Sequence, residues 1–371
     1  MNIGIDAHQA MTEVWGGVEN YSFNLINALI KLNNDHRLII FKGTENARSL
    51  RKSDHTRFVK IPLPRLWSQI GLALATYPIK LDVLFIPVHT IPIFKRPGLP
   101  TVVSVHDLYS LRHPEDYPYL KGFYLNWFSK NNIKRASRII AVSEFTKKEI
   151  LQLFKVPDSK ISVIPEAHDP TIYKVRPQNE ISLHLEKYDL KKPFVLFLGT
   201  LNKRKNVSRL IEAFAQLEKS VFDYDLVIVG KDSTDSENIK ALVEKLGVTE
   251  SVKFLGFIPD LDVSALMNAC DVVAYTSLYE GFGQVILEAM ACGAPVITSN
   301  TTSMPEVAGD CALLIDPTDT KDLKEKLEKV LENPELRTSM SKKGLEHVKR
   351  FSWEISARKT LDLLEETYEN S

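Results

Sequence analysis

Thirteen short runs rich in Val and Ile alternate with helical patterns along the whole chain, and this alternation limits the fold more than any other feature. In the first half the runs lie near Ile3–Asp6, Leu38–Phe41, Phe58–Ile61, Val83–Ile86, Val102–His106, Ile139–Val142 and Ser162–Ile164. In the second half they lie near Phe194–Gly199, Leu226–Gly230, Val252–Leu255, Val272–Tyr275, Val296–Thr298 and Ala312–Ile315. The runs are continuous rather than alternating, as expected of strands buried on both faces. Helical segments such as Val207–Leu217 and Leu261–Ala269 fall between them. Repeated strand–helix alternation predicts an α/β chain of parallel sheets with helices on both faces.

The alternation pauses where Pro165, Pro170, Pro177 and Pro193 punctuate a polar stretch. Such a stretch between two strand–helix series reads as an interdomain linker. The expected division is 1–170, a linker over 171–192, a second domain over 193–351 and a closing helix over 352–371. Each half has about 170–180 residues, enough for its own core. Open α/β sheets bind ligands outside the carboxyl ends of their strands. Two doubly wound domains facing a central cleft would hold a ligand between them.

Lys and Arg number 47, as do Asp and Glu, so the net charge is zero and nothing global favours nucleic acid as a partner. Cys270, Cys292 and Cys311 form no zinc pattern and read as buried, reduced thiols. The segment from Asn2 to Asp6 carries no secretory pattern. The longest apolar stretch, Leu66 to Val88, is interrupted by Gln69, Pro78, Lys80, Asp82 and Pro87, which excludes a spanning helix. A cytoplasmic protein is expected. Residues Tyr119 to Arg138 mix Phe123, Tyr124, Trp127 and Phe128 with Lys121, Lys130, Lys134, Arg135 and Arg138. Two readings stay open there, an ordinary packed helix and a peripheral contact with the inner face of the cell membrane.

The richest segment runs from Tyr279 to Pro295, YEGFGQVILEAMACGAP. Gly281, Phe282 and Gly283 make a tight turn after a strand, and a helix over about Gln284–Cys292 stops at Gly293. Glycines before a helix let the backbone approach a ligand, and the first helical N–H groups then face an anion such as a diphosphate. Glu288, in the second turn, can accept both hydroxyls of a ribose. Glu280, in the loop, can reach a sugar.

This segment resembles the signature of glycosyltransferase family 4, retaining enzymes of the GT-B fold. Two glutamates with seven residues between them, here Glu280 and Glu288, lie within E-G-F-G and L-E-A-M-A-x-G-x-P-V. Pro305-Glu306-Val307 and the Gly309–Ala312 stretch resemble the family's next loop. The resemblance covers nearly the whole chain and implies two Rossmann-like domains about a nucleotide-sugar. It assigns Gly16 and Gly17, after the first strand, to backbone contact with the donor phosphate. It places His106, at a strand end, on the transferred sugar. In the loop GTLNKRKN (Gly199–Asn206), Lys205 matches the family lysine, Thr200 replaces its arginine, and Arg204 can supply the missing guanidinium. These cations would stabilise a departing diphosphate. Phe257 and Ile258 match a loop that meets the nucleotide base. Ser143 matches a family serine but also reads as a helix N-cap. His8 and His89 are further candidates on the acceptor side. The family's I-P-N-G-V-D is Ile164-Pro165-Glu166-Ala167-His168-Asp169 here, without the Asn-Gly.

The expected reaction moves a hexose to an acceptor hydroxyl of a polysaccharide or lipid-linked glycan. By resemblance, attack is front-side, the leaving phosphate takes the proton, and neither cofactor nor obligatory metal is needed. No Asp-x-Asp motif is read as coordinating a metal. The GTLNKRKN loop resembles that of bacterial and archaeal mannosyltransferases, which favours GDP-mannose over UDP-glucose or UDP-N-acetylglucosamine. The other readings are a sugar-nucleotide epimerase and a non-catalytic subunit of a glycan assembly complex. A dehydrogenase is disfavoured, since no G-x-G-x-x-G follows the first strand. The amphipathic stretch Trp353–Tyr368, with Ile355, Leu361 and Leu364 on one side, is expected to cross back to the first domain.

Overall fold

The structure, a computed structural model, describes residues 1–12, 16–43, 48–63, 67–92, 94–116, 132–217 and 223–371. The chain forms two compact units, Met1–Ala167 with Phe351–Ser371, and His168–Arg350. All thirteen expected strands are present, each within a residue or two of its expected bounds.

The first unit holds β1 (Asn2–Asp6), β2 (Arg37–Lys42), β3 (Thr56–Lys60), β4 (Val83–Ile86), β5 (Thr101–Val105), β6 (Arg138–Ala141) and β7 (Ile161–Val163). They form one sheet in the order β3-β2-β1-β4-β5-β6-β7. Every pairing is parallel, with Ile5 opposite Ile40 on one side and Phe85 on the other. The central strands β4 and β5 are buried along their whole length, which explains the unbroken apolar sequence of β4 and the lack of polar alternation in β5.

The second unit holds β8 (Phe194–Leu198), β9 (Asp225–Val229), β10 (Val252–Gly256), β11 (Val272–Tyr275), β12 (Val296–Ser299) and β13 (Leu313–Ile315). Their order is β10-β9-β8-β11-β12-β13, again all parallel. Val195, Phe197, Leu210, Ile211, Leu226 and Ile228 belong to a core that helices Val207–Ala215 and Thr320–Leu331 cover. Burying each such side chain is worth about 1.5–3 kcal/mol. In both sheets the strand order reverses beside the first strand of the unit, between β1 and β4 and between β8 and β11. Ligands of doubly wound sheets bind at the carboxyl ends there.

Three expectations change. Residues 171–192, read as a linker, belong to the second unit. Within them Gln178–Lys187 is a helix packed on helix Asp260–Ala269, with Pro177 as its N-cap. The prolines here delimit an element. Second, Arg138 opens β6 and does not close a helix, while residues 119–131 of that aromatic and basic stretch lie outside the described residues. Third, helix Trp353–Glu369 buries Trp353, Ser356, Ala357, Thr360, Leu363, Leu364 and Thr367, and leaves Ile355 exposed. That spacing is the i, i+3, i+4 stripe starting from Trp353, which includes the expected Leu364 and leaves out Ile355. The helix packs on helix Gly17–Leu32, and its Ser356 hydroxyl donates to the Pro165 carbonyl at 2.7 Å. Among the described residues no helix is long and apolar enough to cross a membrane.

Candidate active site

The second unit gathers most of the expected site residues at its strand-order reversal. The loop after β8 turns through Gly199, where φ is +153°. Gly230, after β9, has φ +159°, and a Cβ there would lie 1.9 Å from the Gly199 carbonyl oxygen. That close approach fixes where the loop can run. Asn202 caps the turn Lys203–Lys205, its side chain accepting from the Lys205 N–H. Asn206 follows with φ 56°, a left-handed conformation that asparagine tolerates. Its amide donates to the Thr276 and Pro317 carbonyls at 3.2 and 2.8 Å, pinning the loop to the end of β11.

The pinning brings Lys205 and Arg204 against Glu280. Lys205 Nζ donates to Glu280 Oε1 at 2.5 Å and to the Tyr275 hydroxyl at 2.7 Å. The ammonium also lies 4.8 Å from the Tyr275 ring centroid. Arg204 Nη1 donates to Glu280 Oε2 at 3.3 Å and to the Tyr279 carbonyl at 3.4 Å. Glu280 is buried. Burial alone would raise its carboxyl, but the charges of Lys205 and Arg204 outweigh that and hold it at about 2. Burial and the Glu280 charge together push the Tyr275 phenol well above its usual range, so it stays a neutral hydroxyl. The cluster is a fixed carboxylate with two cations beside it.

Behind it, the turn Gly281–Gly283 is held by Ser303, whose hydroxyl reaches the Glu280 and Phe282 carbonyls, each at 2.9 Å. The Glu280 N–H donates to Thr302 Oγ1 at 3.2 Å. Gly283, at φ +96°, caps helix Gln284–Ala291, and Phe282 is buried under the turn. Glu288 lies on that helix, mostly buried, close enough to Tyr173 for its charge to act on the phenol. Phe257, just after β10, is 61% exposed, with Lys231 Nζ 4.8 Å from its ring centroid, whereas Ile258 is buried. A cation over an exposed aromatic face makes a flat platform of mixed character.

Two Asp-x-Asp triplets occur, Asp223-Tyr224-Asp225 and Asp260-Leu261-Asp262. Asp223 pairs with Lys192 and Asp225 with Lys253. The second triplet opens a helix, and Asp262 is engaged by His184, Lys187 and Tyr188. An open depression of about 590 Å³ lies beside Asp271 and Pro295, at the amino ends of β11 and β12, and so away from this cluster. All three cysteines are free thiols and buried.

In the first unit, Gly17 opens helix Gly17–Leu32 and Gly16 caps it in an extended conformation. A Cβ on Gly17 would meet open space, and one on Gly16 only the Glu19 carboxylate. The fold itself therefore makes no demand for glycine at either position. Ser143 is fully buried and caps helix Glu144–Phe154, accepting from the Thr146 N–H at 3.0 Å. His8 stacks on Trp67, whose indole N–H donates to Asp6 at 3.2 Å. His106 follows β5 and is held by both ring nitrogens: Nδ1 lies 3.0 Å from Glu166 Oε1 and Nε2 lies 2.8 Å from the Pro87 carbonyl. Tyr21 meets its ring edge-on at 4.4 Å.

Sequence reading missed Tyr275, Thr302, Ser303, Asn206 and Glu166. Only Asn206 carried a local signal, its place in a left-handed turn before a helix. The others act through partners distant in sequence.

The sequence model "Glycosyl transferases group 1" matches residues 183–347, and "Glycosyltransferase Family 4" matches residues 15–171. The chain is 34% identical over 264 residues to the O-antigen chain mannosyltransferase B of Escherichia coli, covering 70% of this chain and 69% of that one. It is 32% identical over 270 residues to the serotype-specific mannosyltransferase WbdA of Escherichia coli, covering 71% of this chain but only 33% of that much longer protein. The structure of sucrose-phosphate synthase from Thermosynechococcus elongatus superposes with a TM-score of 0.79 at 20% identity, over 100% of both chains. The two Rossmann-like sheets are those of a GT-B glycosyltransferase. The chain belongs to glycosyltransferase family 4, with the group 1 domain as its second half, and is a hexosyltransferase.

Proposed function

We propose that the enzyme transfers mannose from GDP-mannose to a hydroxyl of a growing polysaccharide or lipid-linked glycan, with retention at the anomeric carbon and no obligatory metal. The observation that carries this reading is the cluster of Lys205, Arg204 and ionised Glu280 at the strand-order reversal of the second unit. Two cations there can take up the charge of a departing diphosphate, the task a metal performs elsewhere. Glu280 is already ionised and so can accept sugar hydroxyls without a proton change. Turn Gly281–Gly283 offers main-chain N–H groups, Glu288 takes the ribose hydroxyls, and Phe257 with Ile258 takes the base. To the first unit we assign, on the family pattern alone, backbone contact by Gly16 and Gly17 with the donor phosphate and contact by His106 with the transferred sugar. Ser143 is fully used as a cap, which favours a supporting role.

Mannose is supported by the names of two relatives, both mannosyltransferases. The second reading keeps the mechanism and exchanges the donor for UDP-glucose or UDP-N-acetylglucosamine. The test is transfer from GDP-α-mannose to a mannose-terminated acceptor in EDTA, with the product anomer read by NMR. An α-linked product supports the proposal. A β-linked product overturns retention, abolition by EDTA overturns metal independence, and product from UDP-sugars alone replaces the donor.

A further inference from the structure

The His106 side chain is held through both of its ring nitrogens. The Pro87 carbonyl can only accept, so Nε2 carries a hydrogen. Glu166 faces Nδ1 at 3.0 Å, and both side chains are nearly buried, at 11% and 7% exposure. Between a free carboxyl and a free imidazole the imidazole is the stronger base by about two pH units, which favours placing the shared proton on the ring. Both ring nitrogens then carry hydrogens, and the ring is an imidazolium. The surroundings agree. Burial pulls the His106 value down, but the hydrogen bond and charge of Glu166, the Pro87 carbonyl and the charge of Asp107 outweigh it and raise it.

Other groups facing the ring are Tyr21 from helix Gly17–Leu32 and His89 from the loop after β4. Tyr21 is a neutral phenol, held above its usual range by burial, and its hydroxyl is 2.9 Å from Ser104 Oγ. His89 is pushed down by burial and by the positive charge of His106, so it is the neutral member of the pair. Glu166 stands in Ile164-Pro165-Glu166-Ala167, where the related signature has Asn-Gly, so the carboxylate is a feature of this chain's own sequence.

We propose that Glu166 is a positioning residue that locks His106 as an imidazolium, so that His106 serves the transfer reaction as a fixed positive charge and not as a proton donor, acceptor or titrating base. This rests on the reading above that His106 takes part in transfer. The lock and that reading fail separately.

The experiment compares the full-length enzyme with Glu166→Gln and Glu166→Asp, using nitrogen-15-labelled histidine. Gln can still accept the Nδ1 hydrogen but carries no charge, so a purely structural role would survive it. In the native protein the His106 nitrogens are expected to give two protonated-type signals at neutral pH. In Glu166→Gln the ring should titrate at lower pH, and kcat should fall about tenfold per pH unit above that midpoint. Glu166→Asp should restore part of the native profile. A neutral His106 in the native protein would overturn the lock. Unchanged pH profiles in Glu166→Gln, with His106 shown to have become neutral, would overturn the role of its charge in transfer.

Discussion

The Lys205–Glu280 pair yields the sharpest energetic prediction. A carboxyl held at about 2 rather than 4.5 contributes to folding at neutral pH. The gain is roughly 3 kcal/mol. The sign follows from the lowered value: the contribution is complete above about 4.5 and is lost as pH falls toward about 2. Lys205→Met keeps the aliphatic stem and removes the charge, leaving buried Glu280 with Arg204 at 3.3 Å. Breaking one partner of a buried pair costs about 3–5 kcal/mol. Arg204 retains part of the interaction, so a loss of about 3 kcal/mol at pH 7 is expected. The pH window in which Glu280 matters should also move upward. Adding Glu280→Gln should recover much of the loss, for a coupling of about 2 kcal/mol in a double-mutant cycle. Trp15, Trp67, Trp127 and Trp353 all lie outside His168–Arg350. Far-UV circular dichroism must therefore follow the second unit's unfolding, with tryptophan fluorescence as an internal control for the first. A coupling under about 0.5 kcal/mol would refute the argument.

Three further outcomes are expected. Gly230→Ala puts a Cβ 1.9 Å from the Gly199 carbonyl, and the backbone cannot yield cheaply. It should cost about 3 kcal/mol or more in thermal unfolding and raise the donor KM, because the Lys205 loop must move. Ser143→Ala removes a buried cap and should cost about 1 kcal/mol of stability while leaving the donor KM unchanged. A large KM effect would restore Ser143 to the donor site. Lys205→Ala should lower turnover by about 10²-fold, equivalent to roughly 3 kcal/mol, and unchanged turnover would remove Lys205 from the reaction.

Much of this was legible in the sequence because fully buried parallel strands leave an unbroken apolar trace. Val83–Ile86 and Val272–Tyr275 match the structure to the residue. The turn and helix of the Glu280 segment were legible because glycines mark both ends. Contacts between distant residues left no such trace. Tyr275 reads as the last residue of a strand until the Lys205 loop folds over it. Glu166 lies sixty positions from His106, and only the pairing of β5, β6 and β7 brings them together. The segment 171–192 misled because prolines that start a helix look the same in sequence as prolines that break one.

In the proposed function the Lys205, Arg204 and Glu280 cluster receives a guanosine diphosphate sugar without a metal. Calorimetric titration of the native enzyme with GDP-mannose, UDP-glucose and UDP-N-acetylglucosamine, with and without EDTA, tests it most directly. Selective binding of GDP-mannose, unchanged by EDTA and weakened in Lys205→Met, is the expected result. Preference for a UDP-sugar, or binding that EDTA abolishes, would contradict it.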